Sequence, residues 1–149
     1  LIAQGDGPRD DLLRRFRQIG DAVLLGTGSF WEGVDVRGSA LSIVAIDKLP
    51  FTSPADPLLM ARLEYLRRQG VNGFMEHQLP LAALSLKQGA GRLLRDQTDY
   101  GVVVLCDPRI TEKRYGKMFL QCLEPMTTTS ALNEVSSFMA AHERKGAVT

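Results

Sequence analysis

Gln88-Gly89-Ala90-Gly91-Arg92-Leu93-Leu94-Arg95 is the stretch around which this chain is organised. It lies in a longer run, Leu81 to Asp96, that reads as a helix. Pro80 is well placed to open that helix, because its missing N–H falls among the orphan donors of a first turn. At about 100° of rotation per residue, Gln88, Gly91, Arg92 and Arg95 share one face. Leu86, Ala90, Leu93 and Leu94 fall on the opposite face, which can be buried. Two glycines inside a helix cost roughly 1 kcal/mol each against alanine, so something should approach the backbone closely there. An amphipathic surface helix with solvated arginines is the plainer alternative.

The composition sets bounds on both readings. A chain of 149 residues, 44% hydrophobic and 23% charged, is long enough for one domain with a real core. Its 18 Lys and Arg against 17 Asp and Glu leave a formal net charge of +1, so any nucleic-acid site has to be a local patch. No apolar run approaches the roughly 20 residues that span a bilayer, and no signal peptide is visible, so a cytoplasmic protein without a membrane partner is expected. Leu1 is not a start Met, and the opening on apolar residues suggests a piece of a longer protein. Cys106 and Cys122 lie in segments that read as buried, and two cysteines make no disulfide framework. His77 and His142 have no ligand-like spacing to the cysteines or to each other, so no metal site is expected.

Strand and helix patterns alternate along the chain. Leu1 to Ala3, Ala22 to Leu25, Leu41 to Ile46 and Gly101 to Cys106 read as strands, the last of them as the clearest buried one. Helices are expected over Asp10 to Ile19, with Leu12, Phe16 and Ile19 inward, and over Asp56 to Gln69, with Leu59, Leu63 and Leu66 inward. A further helix is expected over Glu112 to Leu123, then a linker, and a last one capped by Ser130 and running through Ala141. Gly20 and Gly70 are suitable stops, and Val71 to Leu79 reads either way. This alternation predicts an α/β domain with a mainly parallel sheet flanked by helices. Ligands then gather at the carboxyl ends of the strands, which groups the loop after Leu25, the loop after Asp47 and the Asp107-Pro108-Arg109 turn.

The loop after Leu25 contains Gly28-Ser29-Phe30-Trp31-Glu32-Gly33-Val34-Asp35. Gly28 and Gly33 let a backbone bend sharply and approach a ligand. Exposed N–H groups and the Ser29 hydroxyl suit phosphate oxygens, which position a strand without reading its sequence. Phe30 or Trp31 could stack on a base or pack beneath the loop, and Asp35 could accept from a ribose hydroxyl. Glu32 reads equally as a solvated loop acid.

Taken in order, that loop, then Lys48-Leu49-Pro50-Phe51, then Gln-x-x-Gly-Arg-x-x-Arg, then Asp107-Pro108-Arg109-Ile110 and Tyr115-Gly116-Lys117, resembles the second motor domain of the DinG/XPD-like superfamily 2 DNA helicases. Within that family it is most similar to the bacterial DinG branch and its YoaA-type members. The resemblance runs from about Ala22 to Leu123. It implies a RecA-like three-layer fold for the single domain 1–149, with residues 124–149 as a C-terminal helix and tail. It implies that Arg95 and Arg92 act as arginine fingers, with Gln88 orienting a finger or the attacking water. Either arginine could instead hold a structural carboxylate. Gly91, Glu32, Gly33 and Asp35 are placed at the nucleotide, and Gly28, Ser29, Phe30 and Trp31 at single-stranded DNA. ATP and Mg²⁺ are the implied cofactors of the full-length enzyme. Any iron–sulfur cluster is expected in the first motor domain, which is also the implied partner across the ATP cleft. The chi subunit of the clamp loader is a further implied partner, docking near Tyr115 to Leu123 or Leu132 to Phe138. No Gly-x-x-x-x-Gly-Lys-Ser/Thr stretch is present, so this chain alone is expected to hydrolyse no ATP.

Overall fold

The computed structural model describes residues 1–28, 41–91 and 99–146, with side chains up to residue 142. They fall into two compact units: Leu1–Ala45, Gly89–Val104 and Met126–Thr149 form the first, and Ile46–Gln88 and Leu105–Pro125 the second.

In the first unit, β1 (Ile2–Ala3) pairs in parallel with β2 (Leu24–Leu25). The Ile2 N–H donates to Val23 O and the Gln4 N–H to Leu25 O, both at 2.8 Å. Between the strands runs α1 (Arg9–Ile19), with Asp10 and Asp11 in its first turn and Arg17 in its last, as the helix dipole favours. Leu12, Leu13 and Phe16 are buried with Ile2, and Ala22, Leu24 and Leu41 close around them. Each of the four buried side chains contributes roughly 1.5–3 kcal/mol. Ile19, expected inside, is exposed, because it is the last helical residue before the chain reverses at Gly20 (φ 76°).

β3 (Ile43–Ile46) pairs with β4 (Val102–Leu105). Val102 N–H donates to Ser42 O and Cys106 N–H to Ile46 O, so the bonds climb both strands in one direction, as in a parallel pair. The described strands thus form two separate two-stranded pairs. The expected burial of β4 on both faces is not met: Val104 is exposed and its neighbours are half-buried.

In the second unit, α2 (Pro57–Arg68) begins at Asp56, whose carboxylate accepts the Leu59 N–H at 2.8 Å, with Pro57 in the first turn. Leu59 is buried, Leu63 and Leu66 half-buried. Asp56→Ala should cost about 1 kcal/mol in urea unfolding. A loss below a few tenths would show that the cap carries nothing.

The ambiguous segment after Gly70 is helical. The Asn72 carboxamide accepts from the Phe74 and Met75 N–H groups, and a π turn, Phe74–Gln78, leads into α3 (Leu79–Ala90). Pro80 therefore lies within a continuous helical course rather than opening one. The wider turn, in which Leu79 N–H reaches back to Phe74 O, accommodates a ring and a missing donor that a regular turn would not. Leu79, Ala82, Ala83, Leu86 and Ala90 are buried along one side of α3, as the helical period requires. Its described course runs to Ala90, with Gly91 in a turn, and residues 92–96 of the expected helix lie outside the described residues.

The expected helix over Glu112 to Leu123 is broken into α4 (Arg109–Glu112) and α5 (Gly116–Cys122). Lys113 between them is extended, and a Cβ on Gly116 would sit 2.0 Å from Ile110 O. The last helix, α6 (Leu132–Gly146), runs past Ala141 into the stretch expected to fray, and the Ala131 N–H just before it bonds to the Thr129 hydroxyl.

Candidate functional site

In the first unit, a carboxamide meets the chain as it enters the loop after β2. Gln4 Oε1 accepts from both the N–H (2.7 Å) and the hydroxyl (3.0 Å) of Thr27. Gln4 itself sits at the carboxyl end of β1, in a turn closed by Asp6, which accepts the Ala3 N–H. Gly28 follows, exposed. Among the described residues an added Cβ there would meet nothing within 4 Å, and its φ is not left-handed. Ser29, Phe30, Trp31, Glu32, Gly33 and Asp35 lie outside the described residues, as do Arg92 and Arg95. Of the expected nucleotide face, Gln88 is exposed near the carboxyl end of α3, and Gly91 is exposed in the turn that follows.

The second unit brings together two other motifs. Asp107, just past β4, is its buried acid. Oδ2 accepts the Leu49 N–H at 2.8 Å, and Oδ1 accepts the Arg109 N–H at 3.0 Å. The Arg109 guanidinium donates to both carboxylate oxygens through Nε and Nη2. It also lies over the Phe51 ring, 5.1 Å from Cζ to centroid. Phe51 in turn meets Phe74, Tyr115 and Phe119 at 5.7–6.1 Å between centroids. Phe119 is fully buried. The loop after β3 and the turn after β4 do therefore share one edge, as expected, and a single carboxylate ties them. The loop after β2 belongs to the first unit.

The hydrogen bonds from Arg109, reinforced by those from the backbone, hold the Asp107 carboxyl well below the usual carboxylate range, against the upward push of burial. Asp107 in turn raises the Arg109 pKa. A carboxylate whose folded pKa is depressed contributes stability that is complete above its unfolded value, about 3.9, and is lost as pH falls toward the native value. The stability difference between wild type and Asp107→Asn, measured by urea unfolding, should therefore be constant near neutrality and shrink below about pH 4. A difference independent of pH down to the acid transition would remove Asp107 from this role.

Both cysteines depart from expectation. Cys106 is exposed, because successive side chains of an extended segment point to opposite sides and the buried side here is taken by Asp107. Cys122 is half-buried, its thiol near Ala83 O and Phe119 O, and burial pushes its pKa up.

Residues 1–126 match the helicase C-terminal domain family. The chain belongs to that family. This helicase C-terminal domain is 51% identical over 140 residues to the ATP-dependent DNA helicase YoaA of Escherichia coli (strain K12), covering 94% of the chain and 22% of that relative. It is 44% identical over 135 residues to the ATP-dependent helicase DinG of Mycobacterium tuberculosis (strain H37Rv), covering 91% and 20%. It is 42% identical over 147 residues to the 3'-5' exonuclease DinG of Bacillus subtilis (strain 168), covering 96% and 16%. The chain thus spans no more than 22% of the length of these curated relatives. The DinG/YoaA-type resemblance read from the motifs holds. The Asp107 clamp lies inside the matched segment of the helicase C-terminal domain, and α6 lies beyond it.

Sequence reasoning missed Gln4 and gave Asp107 and Arg109 no role of their own. An Asp-Pro-Arg turn at the carboxyl end of an apolar strand was the available signal.

Proposed function

We propose that this helicase C-terminal domain is the second motor domain of an ATP-dependent DNA helicase serving repair or replication in the bacterial cytoplasm. In this reading residues 1–149 form one RecA-like, three-layer α/β domain. Its main support is that α3 presents an exposed Gln88 beside the Gly91 turn, directly before Arg92 and Arg95, in a chain matched over residues 1–126 to helicase C-terminal domains.

Gln88 fits a polyphosphate: its carboxamide is exposed while Leu86 and Ala90 are buried on the other side of the helix. Arg95, with Arg92 as partner, meets the charge that spreads over the γ-phosphoryl oxygens of ATP. Gln88 orients a finger or the attacking water, and Gly91, Glu32, Gly33 and Asp35 complete the nucleotide side. Gly28, Ser29, Phe30 and Trp31 form part of the single-stranded DNA path, and travel is 5'-to-3'. Mg²⁺ accompanies the nucleotide. Two cysteines cannot supply four thiolates, and the family resemblance implies that any iron–sulfur cluster belongs to the first motor domain.

The test is ATP-dependent separation of end-labelled duplexes carrying a 5' or a 3' single-stranded tail by the full-length protein. Unwinding of the 5'-tailed duplex with the strand intact is expected. Strand shortening from the 3' end without ATP-dependent separation would overturn the reading. The 149-residue chain alone should show no ATPase activity.

A partner-docking role is a second reading, favoured by α6. It lies beyond the family match and exposes Leu132, with Phe138 partly exposed. The clamp-loader chi subunit is the proposed partner there. The alternative surface around Tyr115 to Leu123 is less suited, since Phe119 is fully buried and Tyr115 is engaged in the aromatic cluster.

A further inference from the structure

Lys48 stands on an unusually fixed piece of backbone. Its neighbour Leu49 is buried, donates its N–H to Asp107 and accepts the Phe51 N–H at 2.7 Å. Phe51 is held in turn by the Arg109 guanidinium and three aromatic rings. Lys113 and Arg114 immediately precede Tyr115, one of those rings. Their own path is fixed by the close passage of Gly116 against Ile110 O. Lys48, Lys113 and Arg114 are all exposed. Asp47 and Glu112 are the exposed acids beside them, while Asp107 is occupied by Arg109. Three cations are therefore displayed from two segments that share one buried clamp, Lys48 just past the carboxyl end of β3, where ligands collect, and Lys113 and Arg114 beyond α4. Cations without a sequence-reading partner suit phosphates.

We infer that Lys48, Lys113 and Arg114 contact the phosphates of single-stranded DNA, and that Asp107 is a positioning residue that holds their two segments in register. The inference rests on the nucleic-acid reading above and adds a contact surface outside the loop after β2. It carries a sign that charge alone does not. Removing an acid from a DNA-binding face should tighten binding by simple electrostatics. Removing Asp107 should weaken it, because the ledge bearing Lys48 loses its anchor.

The experiment is fluorescence anisotropy of full-length protein on labelled oligothymidine across a salt series. Each lost phosphate contact on a single strand lowers the log–log salt slope by about 0.7. Lys48→Ala should lower it by that amount, and Lys48→Ala/Lys113→Ala/Arg114→Ala by about 2. Asp107→Ala should weaken binding at least as much as Lys48→Ala, since it holds both segments, and adding Lys48→Ala to Asp107→Ala should cost less than Lys48→Ala does alone. Asp107→Asn, which keeps an acceptor for the Leu49 N–H, should restore most of the affinity. A triple variant with the wild-type slope, or tighter binding by Asp107→Ala, overturns the inference and leaves the helicase reading standing. Wild-type protein that binds no oligothymidine overturns both. Should Asp107→Ala not fold, the surface variants still decide.

Discussion

ATP turnover by the full-length protein should fall about 10³-fold or more when Arg95 is replaced by alanine. A guanidinium supplied across a cleft meets charge that is larger in the transition state than in bound ATP, so its loss lowers kcat more than it raises KM. The planar fork meets two oxygens at once, which an ammonium cannot do, so Arg95→Lys should recover little. Arg92→Ala should have the same direction. Gln88→Ala should do less, because a neutral carboxamide positions groups without neutralising charge. Steady-state hydrolysis with and without single-stranded DNA is the measurement. Wild-type rates in both arginine variants would end the finger assignment and leave the amphipathic-helix alternative in its place.

The second large effect concerns stability. Gly116→Ala should cost about 3 kcal/mol in urea unfolding, at the upper end for overpacking. The new Cβ would lie 2.0 Å from Ile110 O and 2.9 Å from Arg109 O, which are backbone atoms with no rotamer to change. The reversal between α4 and α5 would have to move, and with it Tyr115. Other glycines give an internal scale. A Cβ on Gly73 would meet Leu63 Cδ2 at 2.6 Å, the far end of a flexible side chain, so Gly73→Ala should cost less. Gly28→Ala meets nothing among the described residues and should be near neutral for stability. If Gly116→Ala unfolds no more easily than Gly28→Ala, the close passage does not constrain the protein.

The helix faces were legible because their signal is local. Leu12 and Phe16, or Leu86 and Ala90, recur at spacings that depend only on helical rotation, and they are buried as that rotation requires. The family was legible for another reason: five short motifs occur in one order. What the sequence hid depends on contacts between distant residues. Asp107 meets Leu49 across 58 positions, and no local pattern marks an acid as buried. The same holds for Gly116, whose need for a missing side chain is set by a carbonyl six residues back. Pro80 misled because a proline in a first turn and a proline after a π turn look alike in a string of letters. Of the expected site residues, Gly28, Gln88 and Gly91 fall among the described residues, and the motif order carries the rest.

The π turn at Phe74–Gln78 has a consequence for chain length. It holds one residue more than an α-helical turn. Deleting a single residue there would restore a regular helix and rotate everything upstream by about 100° relative to α3. Phe74 would swing away from Phe51 and Tyr115, the two rings it touches at 5.7 and 5.3 Å. Loop length at this point and aromatic identity at residues 51, 74 and 115 are therefore a single inherited character. A relative with a shorter turn should carry a different side chain at one of those three positions.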